Sequence, residues 1–190
     1  MDPEVRTYLP GDPAGQRSAA RATLSWLREL ALSVLIAIIV ILFLYQPVKV
    51  EGTSMMPSLD NDERIFINKF VYRFGIQNVA RGDTVVFWFP RDTTKSYIKR
   101  VIGLPGDTVE VREGTVFLNG KPLDEPYVPN AYRDGVSMPA EKLDADQYFV
   151  LGDHRNMSND SRTGWTVPRD YIYGKAVFVY WPLNQIGLLR

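Results

Sequence analysis

Polar and apolar residues divide this chain into two regimes. Residues 30–45 read LALSVLIAIIVILFLY, sixteen positions among which only Ser33 is polar. From Gln46 to Arg190 apolar residues come instead in short β-branched and aromatic bursts, separated by Gly, Pro, Asn and Asp, the pattern of strands and turns. Arg64–Lys69, Asp83–Phe89, Tyr97–Ile102, Thr108–Arg112, Thr115–Leu118, Gln147–Leu151 and Tyr171–Tyr180 are predicted strands. Asn119-Gly120 is a two-residue hairpin signal. No helical period survives over ten residues in this part, and there is no internal repeat. The predicted fold is mainly β, one N-terminal transmembrane helix followed by a coiled antiparallel β-sheet domain over residues 46–190. Residues 124–145, Pro-rich and polar, are expected to form a surface loop or small extension.

As a helix the apolar run spans roughly 24 Å, short of a hydrocarbon core of ~30 Å. Trp26 and Leu27 add an apolar turn, and Arg28 can snorkel to the headgroups. A buried core helix would be striped, and this run is not. A cleavable leader is disfavoured by the 29 residues before the run and by the lack of a small-x-small site in Gln46–Val50. A membrane anchor over 24–45 is the expectation. Arg17, Arg21 and Arg28 before it against Lys49 and Arg64 after it give a slight inside-positive bias. Residues 1–23, rich in Pro, Gly, Ala, Asp and Arg, are expected to be a disordered cytosolic tail.

Composition narrows the chemistry. Lys+Arg and Asp+Glu are 22 each, for zero formal net charge, so nucleic acid is not an expected partner. The chain has no cysteine and one histidine, which excludes thiol catalysis, disulfides and a multi-His metal site. No cofactor is implied.

Three polar clusters remain. Val50–Leu59, VEGTSMMPSL, follows the apolar run; Gly52 and Pro57 suit a rigid turn presenting the Ser54 hydroxyl. Tyr97–Asp107 carries Lys99 inside an apolar strand. Gly152–Arg162, GDHRNMSNDSR, is a dense hydrogen-bonding loop after a strand. Taken singly, each has an ordinary reading: an exposed serine, a solvent-facing lysine, a solvated turn.

Together and in this order, Gly52–Leu59, Lys99–Asp107 and Gly152–Arg162 resemble the motifs of type I signal peptidases, membrane-bound Ser/Lys serine endopeptidases. Arg81–Phe87, RGDTVVF, resembles the family's strand block, and Tyr180–Asn184 its ending. The resemblance spans most of residues 48–182. It implies Ser54 as nucleophile, Lys99 as general base and Ser158 as the group orienting the lysine amine. Asp160 pairs with Arg162 to hold the loop, and Asp153 and Arg155 brace the site. Val48, Val50, Met55, Leu59, Tyr97 and Ile98 match positions lining pockets for small residues at −1 and −3 of the substrate. Two departures stand out. Gly52 replaces a serine whose hydroxyl helps bind the oxyanion in some members, which leaves the Ser54 backbone N–H and the Gly52 region to do so. His154 replaces an asparagine and is expected to be structural. The resemblance further implies precursor proteins with signal peptides as substrates, contact with membrane lipid, and a single-pass protein of a plasma or thylakoid membrane with its catalytic domain on the extracytoplasmic or lumenal side.

The chemistry is self-consistent. A serine needs a neutral base within about 2.6–3.2 Å, while lysine ordinarily titrates near 10.4. Burial can lower that by roughly 2–3 units, and Ser–Lys pairs are one form of the hydroxyl–base logic. Other readings use the same residues. Ser96-x-x-Lys99 with Arg162-Thr163-Gly164 resembles a penicillin-recognising enzyme, but that motif needs a helix where a strand is predicted. A Ser54–His154 enzyme, a mitochondrial inner-membrane-type peptidase with the same dyad, and a non-catalytic membrane-tethered peptide-binding scaffold are the remaining alternatives.

Overall fold

The protein, in a computed structural model, is described over residues 13–73 and 78–189. The chain divides between Phe43 and Leu44 into two compact units.

The first is a helix, α1 (Pro13–Leu44). Pro13 occupies the opening position, where a missing N–H costs nothing, and the following stretch is rich in alanine, the best helix former. Residues 13–23, expected as a disordered tail, are therefore helical; residues 1–12 of that tail lie outside the described residues. Ser33, the one polar residue of the apolar run, returns its hydroxyl proton to the Glu29 carbonyl at 2.9 Å. The large apolar side chains from Trp26 to Ile41 are all exposed. Among the described residues, however, no helix is long and apolar enough to cross a membrane. The transmembrane helix expected over 24–45 is thus not found as such; its apolar run is short and continues a polar helical stretch.

The second unit is mainly β, every strand pair in it is antiparallel, and one short helix, α2 (Phe70–Arg73), follows its second strand. Its strands are β1 (Tyr45–Lys49), β2 (Arg64–Asn68), β3 (Thr84–Phe89), β4 (Asp92–Gly103), β5 (Thr108–Arg112), β6 (Thr115–Leu118), β7 (Lys121–Pro122), β8 (Met138–Lys142), β9 (Gln147–Leu151), β10 (Val167–Pro168), β11 (Ile172–Trp181) and β12 (Gly187–Leu188). The larger sheet runs β1-β2-β11-β3-β4-β9-β10, with β12 beside β11, and the smaller β7-β6-β5-β8. At the β6–β7 turn Asn119 and Gly120 both have positive φ, as a primed hairpin turn requires.

Four strands, β1, β8, β10 and the two-residue β12, fall where sequence patterning gave no signal. β1 contains Pro47 and sits at the sheet edge, where a missing donor is tolerated. β8 lies in the polar 124–145 stretch and closes the small sheet on β5. The short β10 covers the start of β9.

Two features place the site. β4 pairs with β3 from Asp92 to Arg100 but with β9 only from Arg100 to Gly103. The opposite edge of Lys95–Lys99 therefore has no strand partner among the described residues. Beneath the Val50–Leu59 turn lies a core of Val50, Met55, Leu59, Ile65, Ile67, Val86, Ala176 and Val179.

Gly103 ends β4 where the larger sheet packs against residues of the smaller one. A Cβ there would stand 2.6 Å from Leu143 Cδ1, 2.7 Å from Val109 Cγ2 and 3.0 Å from Phe149 Cβ, inside close packing. Gly103→Ala is expected to lower stability by about 1–3 kcal/mol, read as a shifted urea midpoint. An unchanged midpoint would show that the small sheet yields freely at this contact.

Candidate active site

The turn that carries Ser54 is fixed from three sides. At its entry, Val50 N–H donates to Glu63 O at 2.8 Å and Asp62 N–H to Val50 O at 2.9 Å. Gly52, at φ 97°, is in the left-handed region that favours glycine, and its N–H donates to Asn61 Oδ1 at 2.7 Å. On the far side, Met55 and Leu59 are sunk into the core. These two were expected to line substrate pockets; instead they are pegs under the turn, because the one-turn twist that presents Ser54 drives its neighbours inward. The third side is the loop after β9. His154 N–H donates to Ser54 O at 3.1 Å, and His154 Nδ1 meets Thr53 O at 3.0 Å. A carbonyl only accepts, so Nδ1 carries the proton. The ring also packs against Tyr132, with centroids 4.1 Å apart. The lone histidine thus buttresses the backbone of the serine turn.

β4 delivers Lys99 to the same point. Its Nζ is 2.5 Å from Ser54 Oγ in a hydrogen bond, and the residue is only 4% exposed. Burial holds the amine down to about 8, while the more distant charges of Asp160 and Asp153 pull the other way. Burial wins because those carboxylates are committed elsewhere. Asp153 forms a two-pronged pair with Arg100, Nε–Oδ1 2.9 Å and Nη2–Oδ2 2.7 Å. Asp160 does the same with Arg162, Nε–Oδ1 2.8 Å and Nη2–Oδ2 2.9 Å. Lys99 makes no ion pair among the described residues.

The expected Asp160–Arg162 pair is therefore present, and Asp153 and Arg155 do brace the loop, through partners that sequence reasoning missed. Arg155 pairs with Glu125, Nη1–Oε2 2.9 Å, and both are buried. Arg162 also holds Asp134 and donates to Arg155 O at 2.7 Å. Arg100 reaches Gly82 O at 2.9 Å and Ser58 Oγ at 3.1 Å and lies 4.2 Å over the Tyr127 ring. The 124–145 stretch, expected as a surface loop, is in part an outer brace of the site. Most of its polar residues are exposed, as its composition suggests, but Glu125 and Asp134 turn to the buried loop instead.

Ser158 does not meet its expectation. Its Oγ is buried with no hydrogen-bond partner, so no bond to the amine is made. It flanks Gly152 together with the Ser54 carbonyl, and any side chain at Gly152 would collide with both.

Ser54 and Lys99 open onto a cleft of about 560 Å³. One wall is Val48–Glu51, the other Lys95–Lys99, and Ile65, Val86 and Tyr173 form the floor. Of the expected pocket residues, Val48, Val50, Tyr97 and Ile98 line it. The arrangement offers a hydroxyl, an adjacent base of lowered affinity for protons and an apolar trough between two free strand edges. Among the described residues no group of three or more His, Cys, Asp or Glu is placed to hold a metal ion.

A family model described as signal peptidase, peptidase S26, matches residues 23–181. The chain is 38% identical to a signal peptidase I of Leptolyngbya laminosa over 191 residues, covering 95% of this chain and 91% of that protein. It is 38% identical to signal peptidase I T of Bacillus subtilis (strain 168) over 173 residues, 86% of this chain and 88% of the relative. A crystal structure of a signal peptidase I from Enterococcus faecalis V583 aligns with TM-score 0.47 and 32% identity over 52% of this chain and 97% of that one. The chain belongs to the signal peptidase family, peptidase S26, and is a serine endopeptidase of the signal peptidase I type.

Two outcomes follow from the geometry. Glu125→Ala leaves the Arg155 guanidinium buried without its carboxylate, and a loss of about 3–5 kcal/mol is expected in urea denaturation; a wild-type midpoint would show that water reaches Arg155. Because the amine must be neutral to accept a proton, kcat/KM is expected to rise as pH increases through about 8, as Lys99 loses its proton. A profile that rises and is complete near pH 6.5, the ordinary range of histidine, would contradict this.

Proposed function

We propose that this protein cleaves signal peptides from exported precursor proteins, with Ser54 as nucleophile and Lys99 as general base. The observation that carries the reading is the 2.5 Å Nζ–Oγ contact of a buried lysine without a carboxylate partner. Neutral Lys99 takes the Ser54 hydroxyl proton as Oγ bonds to the scissile carbonyl carbon. The carbonyl oxygen gains the charge, facing the Ser54 N–H, which donates no hydrogen bond among the described residues and is free to receive it. The C–N bond then breaks, and the Lys99 ammonium gives its proton to the departing amine. Water, deprotonated by the same amine, hydrolyses the acyl ester and restores both groups.

The precursor binds as an added strand between the free edges of β1 and β4, using main-chain hydrogen bonds. Side chains of an extended chain alternate in direction, so residues −1 and −3 point together toward the apolar floor. That supports small residues there, an Ala-x-Ala site. The half-exposed apolar side chains along α1 from Trp26 to Ile41 support attachment of the enzyme to a membrane by this stretch, with the β unit on the extracytoplasmic or lumenal side.

The test is cleavage of a precursor carrying an Ala-x-Ala site. The wild type is expected to cut after the second alanine. Ser54→Ala and Lys99→Ala are each expected to fall to background while keeping their folded circular dichroism, and the double variant to be little worse than either. A folded Lys99→Ala enzyme of normal rate would remove Lys99 as base. Absence of cleavage by the wild type, with the peptide still bound, would favour a non-catalytic scaffold.

A further inference from the structure

Asn159 lines the same cleft as Ser54 and Lys99, and nothing above gives it a role. Its amide is held from behind. Trp165 Nε1 lies 3.4 Å from Asn159 Oδ1 and Thr163 Oγ1 lies 3.0 Å from it. The Thr163 proton is shared with Asp160 O at 2.8 Å, but an indole N–H can only donate, so the oxygen of the amide faces Trp165. The opposite group, Nδ2 with its two protons, donates no hydrogen bond among the described residues. An amide pinned through its oxygen, with its donors free and on a cleft that holds the reacting pair, is a preorganised donor.

The position of the loop says what it meets. β9 occupies the edge of β4 only as far as Arg100, opposite Leu151. The chain then leaves the sheet as the 152–163 loop, while the edge of Lys95–Lys99 stays open. A peptide added to that open edge must end its pairing where β9 begins. There it runs against the loop, at the end of the cleft where Ser54 and Lys99 stand. Whichever way the peptide runs, the residues that reach this point are those at the scissile bond.

We propose that Asn159 is a substrate-binding residue: its Nδ2–H donates to a main-chain carbonyl of the precursor next to the scissile bond. The inference rests on the reading of the cleft as the peptide groove. It concerns the backbone of the substrate, so it adds affinity without side-chain preference, and its contact exists in the ground state and the transition state alike. The loss on removing it is therefore expected in KM more than in kcat.

The test uses wild type, Asn159→Ala, Asn159→Asp and Ser54→Ala on an Ala-x-Ala peptide and on a series in which each carbonyl flanking the cut is in turn a thioamide, a weaker acceptor. Asn159→Asp keeps the oxygen that Trp165 and Thr163 hold but has no donor. It is compared on the high-pH plateau, where Lys99 is neutral in every variant. Both Asn159 variants are expected to lose about tenfold in kcat/KM, the scale of one hydrogen bond, with unchanged melting temperature for Asn159→Asp. One thioamide position is expected to slow the wild type and leave both variants unaffected, the non-additivity of groups in contact. If Ser54→Ala is inactive while both Asn159 variants cleave every peptide at the wild-type rate, or if thioamide and substitution effects multiply at every position, the proposal is overturned and Asn159 serves only Thr163 and Trp165. Cleavage by Ser54→Ala at the wild-type rate would instead remove the reading of the cleft, and the proposal with it.

Discussion

An amine buried without a counter-charge is the constraint on which the site depends. Lysine in water is an ammonium, and an ammonium has no lone pair with which to take a proton. Lys99 is made useful by what surrounds it: apolar residues of the cleft floor, the Ser54 hydroxyl at 2.5 Å, and carboxylates near enough to be felt but engaged by arginines. Were Asp153 or Asp160 to lose its arginine, its charge would be available to hold the proton on the lysine. The ion pairs of the loop therefore do more than secure a fold; they keep the amine's hold on its proton weak.

That requirement explains the density of charge in so small a region. Arg100, Arg155 and Arg162 are each buried or nearly so, and each is matched by acids in two-pronged geometry. Buried pairs of this kind add little net stability, because desolvation offsets attraction. Their contribution is positional. They lock the 152–163 loop to β4 on one side and to the 125–134 segment on the other, and through His154 they fix the carbonyls of Thr53 and Ser54. The Ser54 turn is then caught between this polar clamp and the apolar pegs Met55 and Leu59.

Much of the architecture was readable from the chain. β3, β5, β6, β9 and β11 are alternating or β-branched runs between turn residues, and their bounds fall within a residue or so of the pattern. β1 and β8 were hidden because proline and polar residues form edge strands whose outer faces meet solvent. Ser54 and Lys99 are 45 positions apart, so no local pattern joins them; only their motifs in order did so. The braces were less visible. Arg100–Asp153 and Arg155–Glu125 span 53 and 30 residues, and Glu125 lies in a stretch whose composition reads as solvated. Close approaches that demand glycine at 103 and 152 leave no trace in sequence, since a glycine in a loop or strand end looks like a turn. The misplacement of Met55 and Leu59 has a similar cause: spacing from Ser54 does not say which way a tight turn points its neighbours.

The central claim is that Lys99 gives up its proton far below the ordinary lysine range, so that a neutral amine is accessible near physiological pH, and its titration tests it most directly. In protein carrying ¹³Cε- and ¹⁵Nζ-labelled lysine, with the resonance assigned by its loss in Lys99→Arg, the account predicts a midpoint at about 8, well below the other lysines. A midpoint with the rest, near the ordinary value of 10.5, would contradict it and leave Ser54 without a base.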